Sequence, residues 1–210
     1  HYKIVHQKDT NISISGNPTT HKLEMLMHIT EEDSNNLNLA KQFAVHEYFH
    51  LYQLAYGAPQ YATCCSDYVE RWRFDGPRWW REGTAIWISD EHMRNDTQKN
   101  ITDYVKKRNE SKMTIADTLT PNLSLNPKWE YVKTHDIYFS HIYQGGLCAV
   151  VFLLKDEKDD VAREKRLMEI FPLIESKDNW EVAFLEWSGY ESMNSFYDAF
   201  DKWVLSRNGA

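Results

Sequence analysis

His46-Glu47-Tyr48-Phe49-His50 lies within residues 37–57, a stretch whose apolar side chains recur three and four positions apart. This period is typical of an α-helix with one buried face. Asn35 or Asn36 can cap its start, and Gly57 is a stop signal. The sequence therefore predicts a helix over residues 37–57, with the five-residue motif near its middle.

Two histidines four positions apart lie on the same face of a helix, one turn from each other. His46 and His50 have this spacing, which lets two imidazole nitrogens bind one tetrahedral Zn²⁺ ion. Glu47 follows the first histidine directly, so its carboxylate lies beside the metal and can act as general base towards an attacking water molecule. The motif therefore predicts Zn²⁺ as cofactor, two histidine ligands and one catalytic glutamate. The remaining histidines lack this spacing and are predicted to be ordinary surface or core residues.

A catalytic zinc site needs a third protein ligand and an open fourth position. Glu70 and Glu82 are the acidic candidates downstream of the motif. The run Glu82-Gly83-Thr84-Ala85 resembles the Glu-Gly-aliphatic-Ala helix that supplies the third zinc ligand in gluzincin peptidases, the group that includes the M1 aminopeptidases. The resemblance implies that Glu82 is the third ligand and that residues 59–74 are an insertion between two ligand helices. By spacing alone Glu70 is nearly right for such an enzyme, but no glycine follows it.

A second segment carries the same resemblance. Residues 138–146, Tyr-Phe-Ser-His-Ile-Tyr-Gln-Gly-Gly, are similar to the segment in which M1-type enzymes have a tyrosine before a glycine-containing helix start. The resemblance implies that Tyr143 donates its hydroxyl to the oxyanion of the tetrahedral intermediate, and that Tyr138 is a substrate-binding residue nearby. The alternative for Tyr143 is a structural position in a helical core. Gln53 matches a pattern of smaller relatives, His-Glu-x-x-His-x-x-Gln, without a defined role.

The amino-terminal part departs from the aminopeptidase pattern. M1 aminopeptidases carry a Gly-x-Met-Glu-Asn strand before the zinc helix, and the Glu of that strand holds the free amine of the substrate. Residues 1–45 contain no such motif, and Glu-Met-Leu-Met at residues 24–27 occupies the edge-strand position instead. We therefore expect an endopeptidase rather than an aminopeptidase, with an edge strand that pairs with an extended substrate backbone.

Strand-like runs before residue 36 and helical periods after it predict an α+β, mostly α, protein. The resemblance implies a zincin-like metallopeptidase fold, with a small N-terminal β-sheet and a helical lower half that carries the zinc site. We expect one catalytic domain over residues 1–210, strand-rich in 1–36 and helical in 37–210. After the zinc helix, the predicted helices are residues 77–93, 97–108 as a polar and exposed helix, 136–155, 161–174, 180–187 and 192–205.

Composition and charge exclude some functions. The net charge of −7, without a large Lys/Arg cluster, argues against nucleic-acid binding. No apolar run approaches the about 18 residues that a membrane span requires.

Three cysteines do not describe a disulfide framework, although a bridge from Cys148 to Cys64 or Cys65 stays open. Glycosylation triplets indicate a secreted, periplasmic or cell-surface protein, unless a bacterial source leaves them unmodified; they begin at Asn11, Asn95, Asn100, Asn109 and Asn122.

Two functional hypotheses follow from these observations. The leading one is a zinc-dependent hydrolase that cleaves peptide bonds in a peptide or protein substrate. The alternative is a non-catalytic or effector zincin-like module that uses zinc structurally and binds a protein or peptide partner, with a side chain such as His135 or Glu70 in the fourth metal position. Glu47 favours the hydrolase, because a structural zinc site has no use for a base. No feature of the sequence indicates an oligomeric state.

Overall fold

The computed structural model describes residues 11–17, 22–28, 37–57, 75–93, 97–119 and 137–207. These residues are mostly helical, which confirms the prediction of a mostly α protein for this part of the chain. Strands β1 (Asn11–Asn17) and β2 (Lys22–His28) pair antiparallel along their backbones. The helices are α1 (Leu37–Gly57), α2 (Arg78–Met93), α3 (Thr97–Ser111), a 3₁₀ helix (Ile115–Leu119), α4 (Ile137–Leu153), α5 (Asp160–Met168), α6 (Ile170–Lys177), α7 (Trp180–Ser188) and α8 (Met193–Ser206). The zincin topology and the single-domain boundary stay predictions.

Helix α1 is attached to the body by aromatic side chains. Phe49, Tyr52 and Tyr56 lie one turn apart, and their rings all contact the ring of Phe171 on α6, at centroid distances of 5.8, 5.0 and 5.9 Å. A second attachment joins α1 to α2, because the side-chain amide of Gln42 donates to the carboxylate of Asp90 on α2 at 2.8 Å. Anchored in this way, α1 turns its histidines towards α2.

Helix α2 is held by the carboxyl-terminal helices. Trp79 stacks on Phe196 of α8 at a centroid distance of 5.5 Å, and its Nε1 donates to the hydroxyl of Tyr197 at 3.2 Å. Trp80 contacts Phe184 and Trp187 of α7. Because paired aromatic rings bury large apolar areas, this cluster fixes α2 firmly in the core. The predicted pair of C-terminal helices is confirmed as α7 and α8.

Helices α2 and α4 approach each other at two glycines. A methyl group on Gly146 of α4 would overlap the carbonyl oxygen of Trp79 and lie 3.0 Å from the Cα of Gly83 on α2. Such an approach is open only to residues without a Cβ atom. The close contact brings the part of α4 that contains Tyr143 beside Glu82 of α2.

The expectation of a polar, exposed helix over residues 97–108 is wrong in one respect. Helix α3 exists, but it buries a stripe with helical spacing: Ile101, Tyr104, Val105 and Arg108. Arg108 can be buried because its guanidinium donates from Nε and Nη2 to both carboxylate oxygens of Asp201, at 2.7 and 2.8 Å. A bidentate pair of this kind offsets part of the cost of removing the charge from water.

The single helix predicted over residues 161–174 is instead two helices, α5 and α6, that meet at Glu169. Pro172 explains the break, because proline has no N–H to donate and its ring clashes with the carbonyl group four residues earlier. That carbonyl belongs to Met168, the last residue of α5. The turn directs Phe171 against α1.

Cys148 on α4 is a free, buried thiol. The disulfide from Cys148 to Cys64 or Cys65 that the sequence left open is therefore not formed. Burial raises the pKa of this thiol. Among the described residues, no helix is both long enough and apolar enough to span a membrane. The proposed insertion, residues 59–74, lies outside the described residues.

Candidate metal centre

The two histidines of the motif meet at the surface of α1 that faces α2. Their Nε2 atoms are 3.1 Å apart, and their rings are almost perpendicular, with an interplanar angle of 88°. The side chains of His46 and His50 are 13% and 17% exposed, so the nitrogens lie near the surface but are shielded from most of the solvent. The two ring nitrogens therefore converge, as the four-residue spacing of the histidines predicts.

Glu82 of α2 brings a carboxylate oxygen up to the two histidines. Its Oε2 atom lies 3.4 Å from the Nε2 of His46 and 3.4 Å from the Nε2 of His50. A tetrahedral zinc ion with bonds of about 2.0–2.1 Å separates its ligand atoms by about 3.3 Å. The three observed separations, 3.1, 3.4 and 3.4 Å, match one face of such a tetrahedron. Two nitrogens and one carboxylate oxygen are also a donor set that suits zinc.

Glu47 is a second carboxylate at the same place. One of its oxygens lies within 4.8 Å of ligand atoms of His46 and His50, so these three residues form a group that could hold a metal ion. Glu82 makes the tighter and more even triangle with the two histidines. Two carboxylates, Glu82 and Glu47, thus lie within reach of a metal ion held by the two histidines.

The pKa values of the two carboxylates are shifted in opposite directions. Burial raises the pKa of Glu47, and the nearby charges of His50 and His46 offset only part of this rise. Burial also acts to raise the pKa of Glu82, but hydrogen bonds from His46 and His50 and their charges lower it well below its ordinary value. For His50, burial lowers the pKa, but the hydrogen bond and charge of Glu82, together with the hydrogen bond to Gln53 and the charge of Glu47, raise it overall. Without a metal ion, Glu82 is thus the carboxylate that stays ionised between the histidines.

Tyr143 reaches the site from α4. It lines the same cleft as the histidines, and its hydroxyl oxygen accepts a hydrogen bond from Nη2 of Arg78 at 3.5 Å. Burial and the negative charge of Glu82 raise the pKa of Tyr143, so its hydroxyl stays protonated at neutral pH. Tyr138 lies at the start of α4, but its side chain is outside the described part, and its role in substrate binding stays a prediction.

The cleft above the donors has a volume of about 550 Å³. That size is within the range of pockets that bind small ligands or a few residues of a peptide. Polar residues stand around the donors, and apolar side chains form part of the wall. The lining residues are Gln42, Phe43, His46, Glu47, His50, Glu82, Ile86, Ser89 and Tyr143.

Arg78 is a residue of the site that was not predicted, although its position in the sequence gave a signal. Arg78 precedes Glu82 by four positions, and residues with this spacing are neighbours on a helix. In the structure the Nε of Arg78 lies 3.8 Å from Oε1 of Glu82. Arg78 therefore contacts both the proposed third ligand and Tyr143.

Three further residues that the sequence offered, Glu70, His135 and His141, are not seen at the site among the described residues. Glu70 and His135 lie outside the described residues, so their part in the site stays untested. His141 is fully buried on α4, and its Nε2 lies 3.0 Å from the backbone oxygen of Met113. It is a core residue, as predicted for histidines without metal spacing.

Comparison of the chain with models of protein families, with curated proteins and with solved structures finds no match. The resemblance to gluzincins therefore rests on the motif residues alone. The arrangement of His46, His50, Glu82 and Glu47 is the basis for a functional assignment.

Proposed function

We propose that the chain is a zinc-dependent hydrolase that cleaves peptide bonds. The observation that carries this proposal is the triangle of donors formed by His46, His50 and Glu82, with sides of 3.1, 3.4 and 3.4 Å, at the floor of an open cleft. Glu47 stands beside the triangle and is not needed to complete it. A site with three protein donors, an open side and an adjacent base has the composition of a catalytic metal centre.

The residues of the site have separate tasks in this proposal. Zinc, when bound, supplies a Lewis acid that activates water and polarises the substrate carbonyl. Glu47 accepts a proton from the attacking water and delivers it to the amine nitrogen as the peptide bond breaks. Tyr143 donates its hydroxyl hydrogen to the carbonyl oxygen, which gains negative charge as the carbon becomes tetrahedral. Arg78 contacts the hydroxyl of Tyr143 and helps to direct it.

The proposed substrate is a peptide or protein chain cut at an internal bond. A cleft of about 550 Å³ can accept a short stretch of extended chain over the donors. Residues 1–45 lack the strand motif with which M1 aminopeptidases hold a free amine. Both points favour endopeptidase over aminopeptidase action.

The test is hydrolysis of a mixed peptide library by the full chain, loaded with zinc, with and without a chelator. We expect internal cuts that disappear when the metal is removed. Glu47→Gln should keep one zinc per chain and lose about 10²–10⁴-fold in rate, because general base catalysis contributes that much. Full activity in Glu47→Gln would overturn the role of this residue.

The non-catalytic alternative predicts another result. If zinc-loaded protein cleaves no peptide in the library while holding one zinc ion tightly, the zinc is structural and the chain is a binding or effector module. X-ray absorption of the zinc-loaded protein would then give four protein ligands and no coordinated water.

A secreted, periplasmic or cell-surface location stays a proposal. Of the five glycosylation triplets, those at Asn100 and Asn109 are on α3, and the side-chain amide of Asn100 donates to a carboxylate oxygen of Asp90 at 3.2 Å. Asp90 is buried, so a glycan on Asn100 would require this contact to break. We therefore expect Asn100 to be unmodified even in a glycosylating host.

A further inference from the structure

Gln53 lies one turn beyond His50 and makes contacts in two directions. It is 5% exposed, and its Oε1 atom lies 2.7 Å from the Nδ1 of His50. Its Nε2 atom lies 2.6 Å from the hydroxyl oxygen of Thr84 and 3.1 Å from the backbone oxygen of Arg81. Arg81 and Thr84 stand on either side of Glu82 along α2. One buried side chain thus joins a histidine of α1 to the segment that contains Glu82.

The orientation of the Gln53 amide follows from its partners. The backbone oxygen of Arg81 has no hydrogen to give, so the amide atom that faces it must be the NH₂ group. The hydroxyl of Thr84 donates to the backbone oxygen of Trp80 at 2.8 Å, so it has a lone pair free to accept from the same NH₂ group. The carbonyl oxygen of Gln53 therefore faces His50.

The protonation of His50 follows in turn. A carbonyl oxygen only accepts hydrogen bonds, so the Nδ1 of His50 must carry the hydrogen at 2.7 Å from Gln53. In the neutral imidazole the hydrogen is then absent from Nε2. The lone pair of Nε2 points to where the Nε2 of His46 and the Oε2 of Glu82 converge.

We infer that Gln53 is a positioning residue for the metal site. It selects the imidazole tautomer of His50 that offers Nε2 to a metal ion, and it holds α1 and α2 at the spacing that brings His50 and Glu82 together. This inference rests on the proposed function, because it concerns the same zinc site. Outer contacts of metal-binding histidines commonly set ring orientation and contribute about 10- to 100-fold to metal affinity.

The tautomer can be measured without any substitution. Long-range ¹H–¹⁵N correlation spectra of the imidazoles distinguish the protonated from the unprotonated ring nitrogen. We expect His50 to carry its hydrogen on Nδ1 and to bind zinc through Nε2 in zinc-loaded protein. A hydrogen on Nε2, or zinc bound through Nδ1, would overturn the inference.

Substitution measures the effect on the metal. Gln53→Met removes the acceptor and the donors at nearly constant length, and we expect zinc affinity, measured by chelator competition, to fall by about 10- to 100-fold. Gln53→Glu keeps an acceptor for the Nδ1 hydrogen, so its zinc affinity should lie closer to that of the unsubstituted protein. Tyr197→Phe is the control, since it removes a buried hydrogen bond between two helices, from Trp79 of α2 to the Tyr197 hydroxyl of α8 at 3.2 Å, and Tyr197 is not among the residues that line the cleft. Its zinc affinity should be unchanged.

A purely structural role for Gln53 gives a different pattern. Loss of buried hydrogen bonds alone lowers the melting temperatures of the zinc-free and zinc-loaded forms equally, whereas a positioning role also shrinks the difference between them. An unchanged difference in Gln53→Met would overturn the inference and leave the proposed function intact. Failure of the unsubstituted protein to bind zinc would instead overturn the proposed function, and the positioning role with it.

Discussion

Arg78 donates from Nη2 to the hydroxyl oxygen of Tyr143 at 3.5 Å, and this contact joins α2 to α4 at the edge of the cleft. The same guanidinium lies 3.8 Å from Glu82 through its Nε atom. A single positive charge is thus shared between the proposed third metal ligand and the proposed oxyanion donor. Because Arg78 is the donor, the tyrosine oxygen accepts in this contact and the hydroxyl hydrogen is not used by it.

Tyr143→Phe tests the oxyanion role directly. The substitution removes one hydroxyl group and keeps the ring, so we expect kcat to fall by about 10²–10³-fold, the usual cost of losing one oxyanion donor. Zinc content and KM should change little, because the hydroxyl acts mainly in the transition state. Steady-state kinetics on a peptide found in the library screen would measure both constants. Unchanged kcat would return Tyr143 to a structural position in the helical body.

Zinc affinity should distinguish the roles of the two carboxylates, Glu82 and Glu47. Glu82→Gln should lower zinc affinity by more than the about 100-fold that loss of an outer contact can cause, because it removes a negatively charged ligand. Glu47→Gln should bind zinc as the unsubstituted protein does and fail in hydrolysis. Chelator competition and metal analysis of both variants give the comparison. Weak zinc binding by Glu47→Gln together with normal binding by Glu82→Gln would make Glu47 the ligand instead.

The convergence of the two histidines could be predicted from the sequence because it depends on a local rule. His46 and His50 converge through helical spacing. Glu82 is singled out by the resemblance of residues 82–85 to gluzincins, and Gly83 in this run permits the close approach of α4. The same local rules placed α1, α2, α7 and α8 within a few residues of their observed bounds. Periodicity carries this information because each helix buries one face.

Contacts between distant segments could not be read in this way. The buried position of Arg108 depends on hydrogen bonds to Asp201, which is far away in the sequence. Without knowledge of this partner, the charged residues of α3 predicted an exposed helix. The contact of Arg78 with Tyr143 and the bonds of Gln53 to Thr84 likewise depend on how α1, α2 and α4 pack. A single sequence carries no direct signal for such pairs, since charged and amide side chains are common on helix surfaces.

Removal of the metal should leave the fold in place. The aromatic cluster around Trp79 and Phe184 is buried apart from the donors, which lie partly exposed at the cleft. Zinc at 100 times its Kd stabilises the folded state by about 2.7 kcal/mol, or about 5–10 °C for a chain of this size. We therefore expect a chelator to lower Tm by that amount and to preserve the far-UV circular dichroism of the helices. Loss of helix on chelation would favour the structural-zinc alternative.

The thiol of Cys148 provides a probe of the α4 packing. Because burial raises its pKa and excludes reagents, we expect no labelling of Cys148 by a maleimide in native protein, even in mildly alkaline solution. The measurement uses Cys64→Ser/Cys65→Ser protein, in which Cys148 is the remaining cysteine. Labelling should begin only as denaturant unfolds the chain. Rapid labelling of the native form would mean that α4 opens readily.

Gly146→Ala, at the crossing of α2 and α4, tests the helix packing that brings Tyr143 close to Glu82. Gly146→Ala places a methyl group against the carbonyl oxygen of Trp79 and 3.0 Å from the Cα of Gly83, so the two helices must separate. We expect a loss of about 1–3 kcal/mol in the free energy of unfolding, the usual cost of overpacking, measured by urea denaturation. Gly189→Asn is the control, because no atom lies within 4 Å of a Cβ at this left-handed position and asparagine tolerates that conformation. Since the separation would also move Tyr143 away from Glu82, Gly146→Ala should reduce kcat as well as stability. Wild-type stability and activity in this variant would mean that α2 and α4 do not meet backbone to backbone.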